Sequence, residues 1–180
     1  MSLLLCLIAL FTSQYVKSLK ECSDYQECAA RSIIKNGVSC SATESCEDSP
    51  LLKSNYDIRC TAWYSCSNSK LRANGNVYCH GGQSCNGASI RARIISCGGS
   101  GSCDYLRDKQ MTAKTLAYCP SYSSCYQNEA FTIGKRLYCD GIYSCKYSKI
   151  KIGTVNHVII FMLNYTICIL THKILHNITR

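Results

Sequence analysis

The sequence predicts an all-β protein: a disulfide-stapled β-solenoid (parallel β-helix) of about seven coils, followed by a C-terminal hydrophobic segment. Three observations predict it. A cysteine pair with five intervening residues recurs with a period of about twenty residues. An aliphatic residue sits two places before the first cysteine of most pairs, which is strand alternation. Between cysteine pairs the apolar runs are only two to four residues long and rich in β-branched members, and they carry no long helical periodicity.

The pairs are Cys22 and Cys28, Cys40 and Cys46, Cys60 and Cys66, Cys79 and Cys85, Cys97 and Cys103, Cys119 and Cys125, and Cys139 and Cys145. Ser precedes the second cysteine in six of these seven pairs. The leading aliphatics are Val38, Ile58, Val77, Ile95 and Leu137, with Ala117 in the coil at Cys119. Five residues after the second cysteine come Ile33, Leu51, Leu71, Ile90 and Ile150, while Asp108 breaks that column. Two places after the first cysteine stand Ala42, Ala62, Gly81, Gly99, Ser121 and Gly141, small residues of the kind needed where backbone turns tightly or approaches a neighbour. The first unit has Asp24 there and Glu27 in place of the Ser, the degeneracy expected of a capping repeat.

A unit of about twenty residues is too short for a helix pair, and no such unit can bury its apolar face alone. Stacking is required, with equivalent positions forming inward ladders about 4.8 Å apart. Each cysteine column holds seven members, so coil-to-coil pairing strands one thiol per column, whereas pairing within each coil uses all fourteen. The expected bonds therefore join Cys22 to Cys28 and so on to Cys139 with Cys145. Closing so small a loop stabilises by about 2.4 kcal/mol on the chain-entropy estimate.

The six-residue cysteine step with an internal serine is similar to that of insect antifreeze β-solenoids, whose coils carry a disulfide at that step. That likeness implies stacked coils and not ice binding, since this chain has no Thr-x-Thr array. Residues 22–153 resemble more closely the Cys-x-Gly-x-x-Ser-Cys repeats of predicted secreted or surface proteins of protists, a group without an assigned biochemical activity. This resemblance implies the architecture and no particular chemistry.

Sixteen cysteines in 180 residues is the density of a disulfide scaffold in an oxidising compartment. The apolar run Leu3–Phe11 reads as the core of a signal peptide spanning 1–18, which would carry Cys6 away on cleavage. Composition shifts again after the repeats. The tail 154–180 contains 155–171, a stretch without formal charge followed by Lys173 and Arg180. It reads either as a single membrane span with a short basic end or as a segment covering the last coil. The sequons at Asn164 and Asn177 separate the two, because glycosylation of Asn177 excludes the spanning topology.

The net charge of +9 permits attraction to acidic glycans, anionic lipid or nucleic acid. Basic residues recur six or seven places after the second cysteine, at Lys35, Lys53, Arg72, Arg91, Lys109 and Lys151. In register they form a stripe of like charge, read either as a surface for acidic glycans or proteins or as a solvated corner. Aromatic residues recur at Tyr78, Tyr118 and Tyr138 before the first cysteine and at Trp63, Tyr64, Tyr122 and Tyr143 within the turn, suited to sugar or protein contact. Secretion argues against nucleic acid.

No catalytic, cofactor or metal site is expected. The 11 acidic residues form no repeated pair, and Asp24, Glu44, Asp57, Asp104 and Asp140 scatter in coil phase. His80 beside Cys79 suggests a nucleophile and base only if that cysteine is reduced. A five-residue cysteine gap is not zinc-finger spacing. The sequence therefore predicts a non-enzymatic secreted or cell-surface structural or binding protein. The alternative is a β-helical carbohydrate-active enzyme, which grouping of Asp24, Glu27 and Glu44, or of Asp104, Asp108 and Asp140, in one groove would support.

Overall fold

The computed structural model describes residues 19–105 and 110–153. The expected signal segment 1–18, Asp108, Lys109, and the tail 154–180 with its 155–171 stretch lie outside these described residues. The chain forms a parallel β-solenoid of about seven turns, as its repeats predict.

Twelve strands follow in order: β1 (Leu19–Cys22), β2 (Ile33–Lys35), β3 (Gly37–Cys40), β4 (Leu52–Ser54), β5 (Ile58–Cys60), β6 (Lys70–Ala73), β7 (Asn76–Cys79), β8 (Ser89–Ser96), β9 (Met111–Cys119), β10 (Phe131–Ile133), β11 (Arg136–Cys139) and β12 (Ile150–Ile152). Every pairing is parallel, and cysteine lies over cysteine, as in Cys22 on Cys40 on Cys60 on Cys79. One row of strands runs into the first cysteines, and the other leaves the disulfide turn. The rows are separate where a short corner rich in Asn and Gly intervenes, such as Asn36 or Asn74 and Gly75. They fuse in β8 and β9, where no corner breaks the chain and an irregularity between Ala92 and Ile94 supplies the bend. All twelve strands thus belong to one folded-over sheet.

The interior is built from ladders. Val38, Ile58, Val77, Ile95, Ala117 and Leu137 are buried in one column, in the register predicted. Facing them are Ile33, Leu52, Leu71, Ile90, Met111, Phe131 and Ile150. Leu52, not Leu51, fills the second coil's place, because the turn after Cys46 is one residue longer and a one-residue shift exchanges the faces of a strand. Met111 likewise takes the place expected of position 108, after a longer excursion.

All seven disulfides join cysteines within one coil, from Cys22–Cys28 to Cys139–Cys145. They stack so closely that, for example, the sulfurs of Cys40, Cys46 and Cys66 all lie within 4.8 Å of one another. Such a column fits an oxidising, secretory or extracellular environment.

What each disulfide encloses explains why it is needed. In the coil at Cys79, Gln83, Cys85 and Gly87 have φ of 49°, 58° and 65°. The intervening N–H groups close local turns, Ser84 to Gly81 O, Asn86 to Gln83 O and Ala88 to Cys85 O, at 3.1–3.2 Å. The left-handed residues Gln83 and Gly87 instead donate along the stack, to Ser100 O and Asp104 O at 2.8 Å each. Every second residue is thus held left-handed to feed the neighbouring coil. Such a backbone disfavours ordinary side chains by roughly 1–2 kcal/mol each, and the cross-link opposes that.

Three of the six recurrent serines have their explanation here too, whereas the hydroxyls of Ser45, Ser102 and Ser144 are buried without a hydrogen-bond partner among the described residues. Ser65, Ser84 and Ser124 each donate through Oγ to the carbonyl three residues back, at 2.8 Å. In the first coil the Glu27 carboxylate does comparable work, accepting the Ser23 N–H at 2.8 Å and pairing with Lys20. A second polar column reaches the cysteine carbonyl of the preceding coil: Ser49 to Cys28, Ser69 to Cys46, Asn128 to Cys103 and Ser148 to Cys125.

Candidate functional site

Two faces carry the groups from which a binding site can be built. The first is the outward side of the strand row leaving the turn. Parallel pairing sets Lys53 beside Arg72 and Arg72 beside Arg91, and continues through Thr112 and Thr132 to Lys151. The predicted stripe therefore exists as three adjacent cations, then two threonines, then Lys151. Lys35 is not in it. Lys35 pairs with Ser54, in the inward column, and Ile34 occupies the stripe position beside Lys53. Lys35 and Lys53 both stand seven residues after their cysteine, but only the turn after Cys46 carries an extra residue, so the same count lands on opposite strand faces.

Two shallow grooves flank the cations. One, of about 290 Å³, is lined by Lys70, Arg72, Arg91, Gln110 and Thr112 among others. The second, of about 190 Å³, is bounded by Lys53, Arg72, Asn74, Arg91 and Lys114. Arg72 and Arg91 form the ridge shared by both. Lys70 and Lys114 were not anticipated, yet they lie two residues before Arg72 and two after Thr112, so strand alternation places them on this same face. Among the described residues the only ion pair is Lys20–Glu27, so none of these cations meets a described carboxylate. Charges at strand spacing repel by about 1 kcal/mol per neighbouring pair even at the dielectric of water, a repulsion that solvent or an anionic partner would relieve.

The second face is the turn itself. Trp63 and Tyr64 meet edge to face, and the Trp63 ring lies against Gly82 of the next coil, where an added Cβ would stand 2.2 Å from it. Further along, Tyr122 contacts Tyr143 at 5.5 Å between centroids, and Tyr105, Tyr126 and Tyr147 form a second ladder at 6.1 and 5.5 Å. Between the two ladders opens a cleft of about 280 Å³ lined also by Asp104 and Lys146. The ladder of Tyr105, Tyr126 and Tyr147 was not read from sequence, since its members stand two, one and two residues after their cysteines. The predicted column of Tyr78, Tyr118 and Tyr138 is interrupted by Ser96, which bonds His80 at 3.0 Å, while Arg59 lies over Tyr78.

Among the described carboxylates, Glu47 is held above the ordinary range by burial and then by its neighbours Glu44 and Asp48, while other acids are engaged singly. Glu27 serves its own turn, Glu44 bonds Gln26, and Asp57 accepts the Asn76 N–H at 2.8 Å. Asp104 stands in the tyrosine cleft, whose described lining contains no second acid. Burial pushes its carboxyl up to about 7, against the Tyr105 N–H, which holds it down from 2.7 Å. The folded chain thus binds this proton more tightly than the unfolded chain. The stability contribution is complete below pH 4 and declines as pH rises towards about 7. Allowing for the open mouth of the cleft, Asp104→Asn should raise stability at pH 8 by about 2 kcal/mol and leave it unchanged at pH 4. Denaturant midpoints at the two pH values measure this, and equal shifts at both would contradict it. His80 cannot form a nucleophile pair with its neighbour, because Cys79 is bonded to Cys85.

No protein family matches the chain, and no curated protein or solved structure is significantly similar to it. Among the described residues no helix is long and apolar enough to cross a membrane.

Proposed function

We propose that the protein is a non-enzymatic, secreted or surface-tethered binding protein that recognises acidic glycans through the ridge of Lys53, Arg72 and Arg91. The observation that carries this reading is the in-register stacking of these three cations without a carboxylate partner among the described residues. Flanking Lys70 and Lys114 widen the positive face and add donors along the two grooves. A linear polyanion laid along the stack would meet one cation per coil at each strand spacing of about 4.8 Å, and Arg can hold sulfate or carboxylate through two parallel hydrogen bonds. The cysteine column supports delivery through the secretory pathway, where the predicted signal at 1–18 would send it. Retention at the surface through 155–171 belongs to the same proposal.

The test is retention on immobilised heparin. The wild-type protein is expected to elute at a salt concentration that falls sharply in an Arg72→Glu, Arg91→Glu double variant, with direct affinity reduced about tenfold or more. Arg136→Glu, on the cysteine-strand row, serves as a control of equal charge change per site. Loss of retention proportional to net charge alone, whichever arginine is reversed, would refute a specific ridge.

A further inference from the structure

The tyrosine cleft is separate from the basic ridge, and its chemistry is opposite. Its walls are two ladders in which successive rings stand at 74–80° to one another. A sugar packs best on a flat exposed ring, whereas mutually perpendicular rings make the sides of a box. Asp104, only 5% exposed, supplies a carboxyl to that box and meets no cation in an ion pair among the described residues. The rings already show which charge they attract: the Lys146 ammonium lies 4.7 Å from the Tyr143 centroid and 4.8 Å from that of Tyr147. Ring faces at that distance stabilise cations through the ring quadrupole, most strongly where water is excluded.

We infer that Tyr105, Tyr122, Tyr126 and Tyr143, with Asp104, form a binding site for a methylated ammonium group. The methyl groups contact the rings and the positive charge faces the carboxylate, while Lys146 is an internal competitor that must swing off Tyr143 for the ligand to enter fully. A methylated ammonium suits the cleft better than a primary one because it has little hydration shell to lose and gives its surface to apolar contact.

The titratable groups lining the cleft with Asp104 are Tyr105, Tyr122, Tyr126, Tyr143 and Lys146, with Tyr147 behind Tyr126, whose phenol is pushed up by desolvation, away from the range used. Binding should therefore follow Asp104 alone. With the carboxylate as the competent form, affinity rises about thirtyfold from pH 5.5 to pH 8.5.

The experiment titrates the oxidised full-length protein with tetramethylammonium and with choline, reading tyrosine ring signals by NMR. Saturable binding at pH 8.5 is expected, with the thirtyfold loss at pH 5.5 absent in Asp104→Asn, whose affinity is low throughout. Tyr143→Leu, at an exposed ring, should weaken binding at least fivefold, and Lys146→Met should tighten it several-fold. Intact far-ultraviolet dichroism establishes that each variant folds. Free choline binding as well as phosphatidylcholine vesicles do assigns the site to a soluble ligand, and vesicle binding alone assigns it to a lipid headgroup. Methyl glucoside binding without tetramethylammonium binding overturns the inference, as does affinity indifferent to Asp104→Asn or weakened by Lys146→Met. None of these outcomes depends on heparin retention, so the basic ridge can fail while the cleft stands.

Discussion

Replacing Gly99 by valine is expected to destabilise the protein by more than about 4 kcal/mol, enough that little folded material is recovered. A Cβ at this position would lie 1.9 Å from the Gly81 carbonyl oxygen and 2.9 Å from that of His80. Both obstacles are backbone, and both belong to the coil below, so relief requires the coils to part. Parting them lengthens the hydrogen bonds that run along the stack beside it, including Gly99 N–H to Cys79 O at 3.2 Å and Gln83 N–H to Ser100 O at 2.8 Å. The same reasoning applies to Gly81 against Ala62 O and to Gly141 against Ser121 O, at 2.0 and 2.2 Å. Gly37→Ala is the contrasting case. Its nearest obstacle is Leu19 Cδ1 at 2.8 Å, the tip of a half-exposed side chain at the end of the stack, and a change of under about 1 kcal/mol is expected. Denaturant unfolding of both variants measures the difference, and similar losses would mean that coil spacing is softer than these contacts imply.

Removing the Cys79–Cys85 cross-link as a Cys79→Ala, Cys85→Ala pair is expected to lower stability by about 2–5 kcal/mol. Two effects add. The unfolded chain regains the freedom of a small loop, and the native turn loses the tether that holds residues 83 and 85 in their left-handed conformation. Both cysteines are fully buried, so their replacement also leaves a gap in the sulfur column. The same exchange at Cys22 and Cys28 should be milder, because that coil has a described neighbour on one side only and its loss does not divide the stack. Thermal and denaturant unfolding of the two variants provide the comparison. If the terminal and central deletions prove equally damaging, the coils do not behave as nearest-neighbour units.

Much of this architecture was legible in the sequence because cysteine spacing is rigid. A closed turn of constant length puts Val38, Ile58, Val77, Ile95 and Leu137 at one phase, and they are found in one ladder. Legibility ends where the constant turn ends. Between the second cysteine and the following strand some coils take up extra residues and others do not, so Leu52 stands where Leu51 is expected, Met111 has no counterpart, and Lys35, with no extra residue before its strand, falls off the basic stripe that Lys53, Arg72 and Arg91 share. The alternating left-handed backbone was also invisible, since Gln26, Asp48, Tyr64 and Tyr147 hold positions that sequence reasoning assigns to glycine. Neighbour hydrogen bonds and the disulfide impose that conformation, and neither leaves a local signature in residue type. The tyrosine cleft escaped for a related reason: Tyr105 and Tyr147 share a repeat position, but Tyr126, which joins them in the middle coil, stands one residue earlier.

Because each half-cystine finds its mate six residues away, gene rearrangement that adds or deletes a whole unit leaves no orphan sulfur behind. Such a rod can change length over evolutionary time without passing through a misbonded ancestor. A design with rungs tied one to the next would need its sulfur pairing rearranged at every such event.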